Sequence, residues 1–103
     1  MARSAKEIAE LLAAQRFDDV RDDFDENLSA KLSTKMLRRG WRTMRLQKGK
    51  YLGVAGEPSA HDGDGFRVTD LPLQFHRDNA KLRVAYTSDD QIAGLFILNP
   101  EVP

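Results

Sequence analysis

The fold is decided by the stretch Asn79-Ala-Lys-Leu-Arg-Val-Ala-Tyr-Thr-Ser-Asp-Asp-Gln-Ile-Ala-Gly-Leu-Phe-Ile-Leu98. Its first half alternates apolar residues at 82, 84 and 86 with more polar ones, which predicts a strand with one apolar face. Short polar side chains at 88 to 91 favour a turn. The nearly continuous apolar run at 92 to 98 predicts a strand buried on both faces. The stretch therefore predicts a β-hairpin at the centre of the core.

The length and composition of the chain indicate one domain over residues 1 to 103. A chain of 103 residues matches the common size of a single domain and can bury one core. Because it has no cysteine, we expect neither a disulfide nor a thiolate metal site. The N-terminal segment is charged and lacks the apolar run of a signal peptide or a membrane span. This predicts a soluble, cytoplasmic protein without a membrane partner.

Charge is balanced over the whole chain but unevenly distributed along it. The 16 lysines and arginines equal the 16 aspartates and glutamates, so the net charge gives no reason to expect a nucleic-acid partner. Residues 31 to 50, however, hold eight bases and no acid, whereas residues 1 to 30 hold four bases and eight acids. The middle of the chain is therefore a basic segment.

The N-terminal half has the residue spacing of three helices. Ser4 and Glu7 form a capping-box pattern that begins the first helix. Asp18 is a suitable cap for a second, short helix. Ser33 precedes a third helix that runs to about residue 47, with an inner face formed by Leu37, Gly40, Trp41 and Met44. Since glycine disfavours a helix, we expect its missing side chain to admit a neighbouring element close to this helix.

The C-terminal half is predicted to form strands. Residues 51 to 57 form a short strand that ends at Pro58, and residues 59 to 65 have the glycine and aspartate content of a loop. In the strand over residues 66 to 77, the apolar positions change from even to odd numbers around Asp70, which predicts a bulge or bend. With the hairpin, this makes a four-stranded antiparallel sheet. We therefore predict an α+β domain in which N-terminal helices cover one face of a bent sheet.

A resemblance to a known family adds to this prediction. The residues that carry it are Leu11-Leu-Ala-Ala-Gln-Arg-Phe-Asp-Asp-Val20, Trp41, Gly56-Glu-Pro58 and Ile92-Ala-Gly-Leu-Phe96. Together they resemble a bacterial domain family of unknown function, whose members occur alone or in front of α/β-hydrolase domains. That family resembles in turn the nuclear transport factor 2-like, or cystatin-like, superfamily. The resemblance implies a cone of helices against a strongly bent sheet, with function in the cavity between them.

Four polar residues are candidates for chemistry in such a cavity. If Asp70 points into the cone, desolvation would raise its pKa toward that of a general base; the alternative is a carboxylate that accepts hydrogen bonds at a bulge. His76 is a second catalytic candidate or a solvated turn residue. His61 lies in the predicted loop without clustered ligands, so no metal is expected. Tyr86 is an oxyanion donor or a core residue whose hydroxyl reaches solvent.

The predicted third helix also carries a basic face opposite Trp41. The face consists of Lys35, Arg38, Arg39, Arg42, Arg45 and Lys48. One interpretation is a surface for nucleic acid or another acidic partner. We favour the other interpretation, in which these bases pair with the acids of residues 1 to 30, because no aromatic side chains are interleaved with them to stack bases. We therefore do not expect a nucleic-acid partner.

The leading hypothesis for function is a non-catalytic domain that binds a small apolar ligand or a protein partner. The binding region would be the open sheet face or the cavity between helices and sheet, lined by Trp41, Met44, Asp70 and Tyr86. The alternative is a small enzyme of the dehydratase or isomerase kind with Asp70 as its base. No cofactor is expected, because the sequence has no glycine-rich phosphate motif, nucleophile elbow or zinc motif.

The last strand also predicts a homodimer. Its apolar residues fall on both faces, with Leu95 and Ile97 on one and Phe96 and Leu98 on the other. We assign Leu95 and Ile97 to the outer face, which the helices leave uncovered, and expect two copies to pair through it. The resemblance implies the same, since superfamily members often pair through this sheet. There are two alternatives: residues 100 to 103 could cover this apolar face, or a different protein could bind to it.

Overall fold

The computed structural model describes residues 2 to 103 and confirms the predicted α+β order, with helices first and strands after them. In this range the helices are α1 (Ala5–Ala13), α2 (Phe17–Val20), α3 (Glu26–Lys31) and α4 (Thr34–Lys48), with a 3-10 turn at Arg21–Asp23. The strands are β1 (Tyr51–Val54), β2 (Ser59–Gly63), β3 (Phe66–Phe75), β4 (Asn79–Tyr86) and β5 (Ile92–Leu98). The predicted hairpin is the pair β4 and β5.

The sheet has five antiparallel strands rather than the predicted four. Its order is β1-β3-β4-β5, and β2 pairs with the part of β3 that β1 leaves free. The prediction of a loop at residues 59 to 65 is wrong, because Ser59–Gly63 is a strand that folds back on β3. Asp64 and Gly65 make the reversal with φ of 52° and 84°. Two consecutive left-handed residues of this type form the tight turn that matches strand twist.

The bulge predicted near Asp70 is absent from the ladder between β3 and β4. The register there is continuous from Arg67 opposite Tyr86 to Gln74 opposite Asn79. Phe66, Val68 and Asp70 thus share the outer face, while the odd-numbered Leu71, Leu73 and Phe75 face the helices. The bulge was predicted because the apolar residues lie on one face in the first half of β3 and on the other face in its second half, which the strand achieves without a change of register. The observed register shifts lie in β1 and between β4 and β5.

Two of the three helix caps predicted from the sequence are present in the structure. Ser4 Oγ accepts a hydrogen bond from the Glu7 backbone N–H, and the Ser4 N–H donates to Glu7 Oε1, which confirms the capping box. The Ser33 side chain caps α4 as predicted. The cap predicted at Asp18 is wrong, because that residue lies inside α2. Its carboxylate instead accepts a hydrogen bond from the Thr34 hydroxyl, which joins α2 to the start of α4.

The core lies between the inner face of the sheet and the helices. Its largest fully buried side chains are Ile8, Leu12, Val20, Leu71, Leu73, Leu82, Val84 and Ile92. Full burial of an aliphatic side chain contributes about 1.5 to 3 kcal/mol to the free energy of unfolding. Because these residues come from α1, α2, β3, β4 and β5, the helix layer and the sheet form one packing unit.

Three aromatic rings attach α4 to the sheet. The centroid of Trp41 lies 5.3 Å from that of Tyr51 on β1 and 5.7 Å from that of Phe75 on β3. Tyr51 and Phe75 are themselves 5.2 Å apart. Trp41 is only 3% exposed, which confirms its predicted burial between helix and sheet. Edge-to-face pairs of this kind add about 0.5 to 1.5 kcal/mol each beyond the area they bury.

A buried lysine fixes the C-terminal end of α4. The Lys48 side chain is 7% exposed and its Nζ donates to Asp78 Oδ2 at 3.0 Å, the Asn79 carbonyl at 3.0 Å and Asn99 Oδ1 at 3.2 Å. All three ammonium donors are thus used. Lys48 connects α4 to the β3–β4 turn and to the end of β5. Its predicted place on an exposed basic face is therefore wrong.

We predict that Trp41→Ala lowers the free energy of unfolding by about 3 to 5 kcal/mol, because it removes a buried ring with two aromatic neighbours. Chemical denaturation followed by circular dichroism measures the change. Leu46→Ala on the same helix is the control, since Leu46 is 73% exposed and surface changes usually stay within about 0.5 kcal/mol. Similar midpoints for both variants would contradict the role assigned to the ring.

Candidate functional site

An apolar groove lies between α4 and β5, on the helix side of the sheet. Its volume is about 180 Å³. The residues that line it come from α1, the α3–α4 connection, α4 and β5, and are Leu12, Leu32, Met36, Leu37, Gly40, Trp41, Met44, Leu95 and Ile97. None of them carries a charge. The groove can therefore hold an apolar group but offers no acid or base for proton transfer.

A row of residues on one side of α4 explains why the groove is open. Met36, Gly40 and Met44 are spaced by four residues and so lie on one side of the helix. A Cβ at Gly40 would meet nothing within 4 Å, so the expectation that a neighbouring element approaches this glycine is wrong. Instead, the missing side chain leaves a gap between two methionines. Methionine is flexible and polarizable, and suits a surface that adapts to what it contacts.

Leu95 and Ile97 lie on the inner face of β5, not on the outer face assigned to them from the sequence. Leu95 is opposite Val84, and Ile97 is opposite Leu82. Both β4 residues are fully buried core side chains, and residues directly opposite each other in a sheet share a face. The outer residues of β5 are consequently Phe96 and Leu98. The alternation in the sequence defines two faces but does not say which one the helices cover.

Asp70 lies on the outer face of the sheet and does not line the groove. Its carboxylate accepts hydrogen bonds from Arg83 Nε at 2.8 Å and from Arg83 Nη2 at 2.9 Å, and Lys81 Nζ lies 3.6 Å away. Arg83 is directly opposite on β4, which positions the pair. The hydrogen bonds from Arg83 hold the pKa of the Asp70 carboxyl below its usual value, against the effect of desolvation. The interpretation in which Asp70 points into the cone with a raised pKa is therefore wrong; the carboxylate accepts hydrogen bonds, as the other interpretation expected, but at a regular strand position and not at a bulge.

Tyr86 is on the inner face but is not among the groove residues. Tyr86 is 4% exposed, and its hydroxyl donates a hydrogen bond to the Arg3 carbonyl at 2.7 Å, so Tyr86 is a core residue whose hydroxyl has a partner in the protein. Burial raises the pKa of the Tyr86 hydroxyl to about 12. The Arg67 guanidinium lies over the ring, 4.8 Å from its centroid. The hydrogen bond attaches the N-terminal segment to β4, and the contact with Arg67 joins β3 to β4, so both contacts are structural.

The two histidines are both exposed and lie away from the groove. His61 is on β2, opposite Val68, and His76 follows the end of β3. Among residues 2 to 103, no three histidine, aspartate or glutamate side chains are grouped so that they could hold a metal ion. Within the same range, no helix has both the length and the apolar character needed to cross a membrane.

Of the four residues predicted to line a cavity, the structure brings Trp41 and Met44 together and leaves Asp70 and Tyr86 outside. The contributions of α1, the α3–α4 connection and β5 were not predicted from the sequence. The repeated spacing of Met36, Gly40 and Met44 was the available signal. It was not recognised because a glycine in a helix has several explanations until its neighbours are known.

Comparison with known families gives a match to a family of unknown function. A family model described as a protein of unknown function, DUF3887, matches residues 5 to 95, from the first residue of α1 into β5. The chain belongs to the DUF3887 family. The match confirms the resemblance to a domain family of unknown function, and it includes each groove residue except Ile97. Among curated proteins, none matches the chain.

We predict that Asp70→Asn lowers the free energy of unfolding by about 1 to 3 kcal/mol at neutral pH, because it removes charged hydrogen bonds at a largely buried site. The folded-state pKa lies below the unfolded value of about 3.9, so this stabilisation is present above about pH 4 and is lost as pH falls through the folded-state pKa. The denaturation midpoints of the wild type and of Asp70→Asn should therefore converge as the pH is lowered from neutral to acidic values.

The matched control is Asp89→Asn, since Asp89 is exposed in the β4–β5 turn and forms no ion pair within the described residues. Its midpoints should follow those of the wild type throughout. A difference between wild type and Asp70→Asn that stays constant down to the lowest pH would contradict the assigned ion pair.

Proposed function

We propose that the protein is a non-catalytic binding domain that holds a small apolar ligand in the groove between α4 and β5. The observation that carries the proposal is the groove itself, about 180 Å³ in volume and lined without any charged side chain. An apolar cavity of about 150 Å³ is large enough to bind benzene. The ligand is therefore a small molecule, or the apolar end of a larger one, with a group of about that size.

The chemistry of the lining determines how such a ligand would be held. Burial of apolar area contributes about 25 cal/mol for each Å² removed from water, and this is the main attraction that the groove offers. With no charged group to orient a polar ligand, selection depends on shape. Met36 is 50% exposed at the edge of the groove, so its side chain is free to close over a bound group.

The resemblance to the nuclear transport factor 2-like superfamily supports the same location, because function in that superfamily lies between helices and sheet. The alternative, a dehydratase or isomerase, requires a base that faces the ligand. Asp70 is on the opposite face of the sheet and is held as a carboxylate by Arg83. No lining residue of the groove is acidic or basic. Binding therefore fits the geometry better than catalysis.

We predict that indole, used as a test ligand, shifts the methyl resonances of Met36 and Met44 in a protein with labelled methionine methyl groups. Both side chains line the groove, and the ring current of a bound aromatic would act on both. Nuclear magnetic resonance titration measures the shifts and the affinity. If neither methionine resonance shows a saturable shift, the result would count against the groove as a binding site.

Two substitutions at one position provide the matched comparison. Gly40→Leu places a side chain in the open gap and should weaken indole binding. Gly40→Ala adds only a Cβ, which meets nothing within 4 Å, and should preserve binding while stabilising α4 by up to about 1 kcal/mol. Equal affinity in the two variants would show that the ligand lies elsewhere.

We also propose that the protein forms a homodimer through the outer face of the sheet. The observation that favours this is Phe96, which is 50% exposed on the outer face beside Leu98 on the same strand. A soluble protein rarely leaves a large apolar patch uncovered, and a symmetric copy is a common cover. On this face Lys81 and Arg83 each form an ion pair with Asp70. Lys81 also donates to the Val102 carbonyl, so the C-terminal segment covers one end of the face.

We predict that the wild type elutes as a dimer in size-exclusion chromatography with light scattering, and that Phe96→Lys converts it to a monomer. A charge in the centre of an apolar contact is costly to bury. Leu46→Lys, on the exposed side of α4, is the control and should leave the mass unchanged. A wild type that is monomeric at micromolar concentration would disprove the dimer, and a dimer that survives Phe96→Lys would place the interface elsewhere.

A further inference from the structure

A second cavity, of about 550 Å³, lies on the opposite side of Trp41 from the groove, between α4, the α1–α2 junction and the start of β1. We name it the basic cleft, after the four cationic residues that line it: Arg38, Arg42, Arg45 and Lys50. Phe17 and Trp41 also line the cleft, and both are almost fully buried. The cleft therefore combines a rigid apolar base with a rim of positive charge.

The four cations are not neutralised by the protein. No acid lines the basic cleft, and within residues 2 to 103 none of the four takes part in an ion pair. The expectation that the basic helix pairs with the acids of the N-terminal segment is wrong. Three of those acids pair with other bases: Asp22 and Asp23 with Arg3, and Asp19 with Arg16.

The arginines form a single row along α4. They are spaced by four and then three residues, so they lie on one side of the helix and about 6 Å and 4.5 Å apart along its axis. A guanidinium donates hydrogen bonds in a planar fork that matches the oxygens of a phosphate. The Arg38 guanidinium lies over the Phe17 ring, 5.8 Å from its centroid. This contact restricts the side-chain conformation of one of the three arginines.

The end of α1 contributes a polar side chain at the edge of the basic cleft. Gln15 has a φ of 59° in the turn that ends α1, where its N–H donates to the Leu12 carbonyl and the next N–H donates to the Leu11 carbonyl. Glycine is the usual residue at this position because it adopts a positive φ without strain. Here the position carries an amide that lines the cleft and adds a hydrogen-bond donor.

We propose that the basic cleft binds a small polyvalent anion of the phosphate type, such as a diphosphate or triphosphate group. Four cations with no internal counter-charge favour a ligand with several negative charges close together. The volume lies within the range of about 300 to 1,000 Å³ that is usual for small-molecule sites. A nucleic-acid duplex fits less well because the cleft is concave, and a single strand fits less well because Phe17 and Trp41 are too deeply buried to stack on its bases.

Trp41 is the only tryptophan in the chain and lines both the basic cleft and the apolar groove, so its fluorescence responds to a ligand in either one. We predict that pyrophosphate and tripolyphosphate, titrated at low and constant ionic strength, change this fluorescence saturably and raise the melting temperature. Arg42→Gln removes the central arginine and should weaken binding by about tenfold, the effect of losing one charged hydrogen-bonding group. Arg39→Gln is the matched control, because Arg39 is exposed on the same helix but does not line the cleft.

Three results would overturn the proposal. The first is the absence of a saturable response to either phosphate. The second is an equal loss of affinity in Arg39→Gln and Arg42→Gln, which would indicate general attraction to a basic helix. The third is tighter binding of duplex DNA than of tripolyphosphate in a competition titration. Gly40→Leu should leave anion binding unchanged, so the outcome here does not depend on the apolar groove.

Discussion

The packing of Trp41 against Tyr51 and Phe75 is the interaction on which the rest of the structure depends. It sets how far α4 stands from the sheet and which side of the helix turns inward. Because α4 is long and has one buried aromatic side chain near its middle, the helix surface on each side of that ring remains open. The apolar groove and the basic cleft occupy those two sides, and Trp41 lines both. Any change that moves this ring would alter both cavities together.

The charged residues fall into two groups that the fold treats differently. Lys48 and Asp70 are largely buried, and each is matched by specific partners. A buried charge without such partners would be destabilising by several kcal/mol, which explains the close geometry at both places. The arginines of the basic cleft, in contrast, are exposed to water and need no partner for stability. Their concentration in one concave surface is therefore a feature for which a ligand, rather than folding, is the simplest explanation.

Features with a local physical signal were predictable. The α+β order, the hairpin of β4 and β5, the caps at Ser4 and Ser33 and the burial of Trp41 all depend on residues close together in the chain. The strand β2 was missed although Asp64-Gly65 is a strong signal for a tight hairpin. Its residues are small, polar and exposed, so composition favoured a loop, whereas backbone pairing with β3 makes it a strand. For the candidate site, the helix contributed Trp41 and Met44, but the strand side of the groove was assigned to the wrong face.

By itself the sequence determined that helices precede strands and where most of these elements lie, because periodicity, caps and turn residues act over a few residues. Only the tertiary structure decided which face of each strand meets the helices. A period of two divides a strand into two faces without saying which one is covered, and on that choice depend the positions of Leu95, Ile97 and Asp70. The tertiary structure likewise decided which charges meet, since ion pairing depends on distances in space. The sequence has eight acids before the basic segment, yet in the fold none of the described acids forms an ion pair with an arginine of the basic cleft.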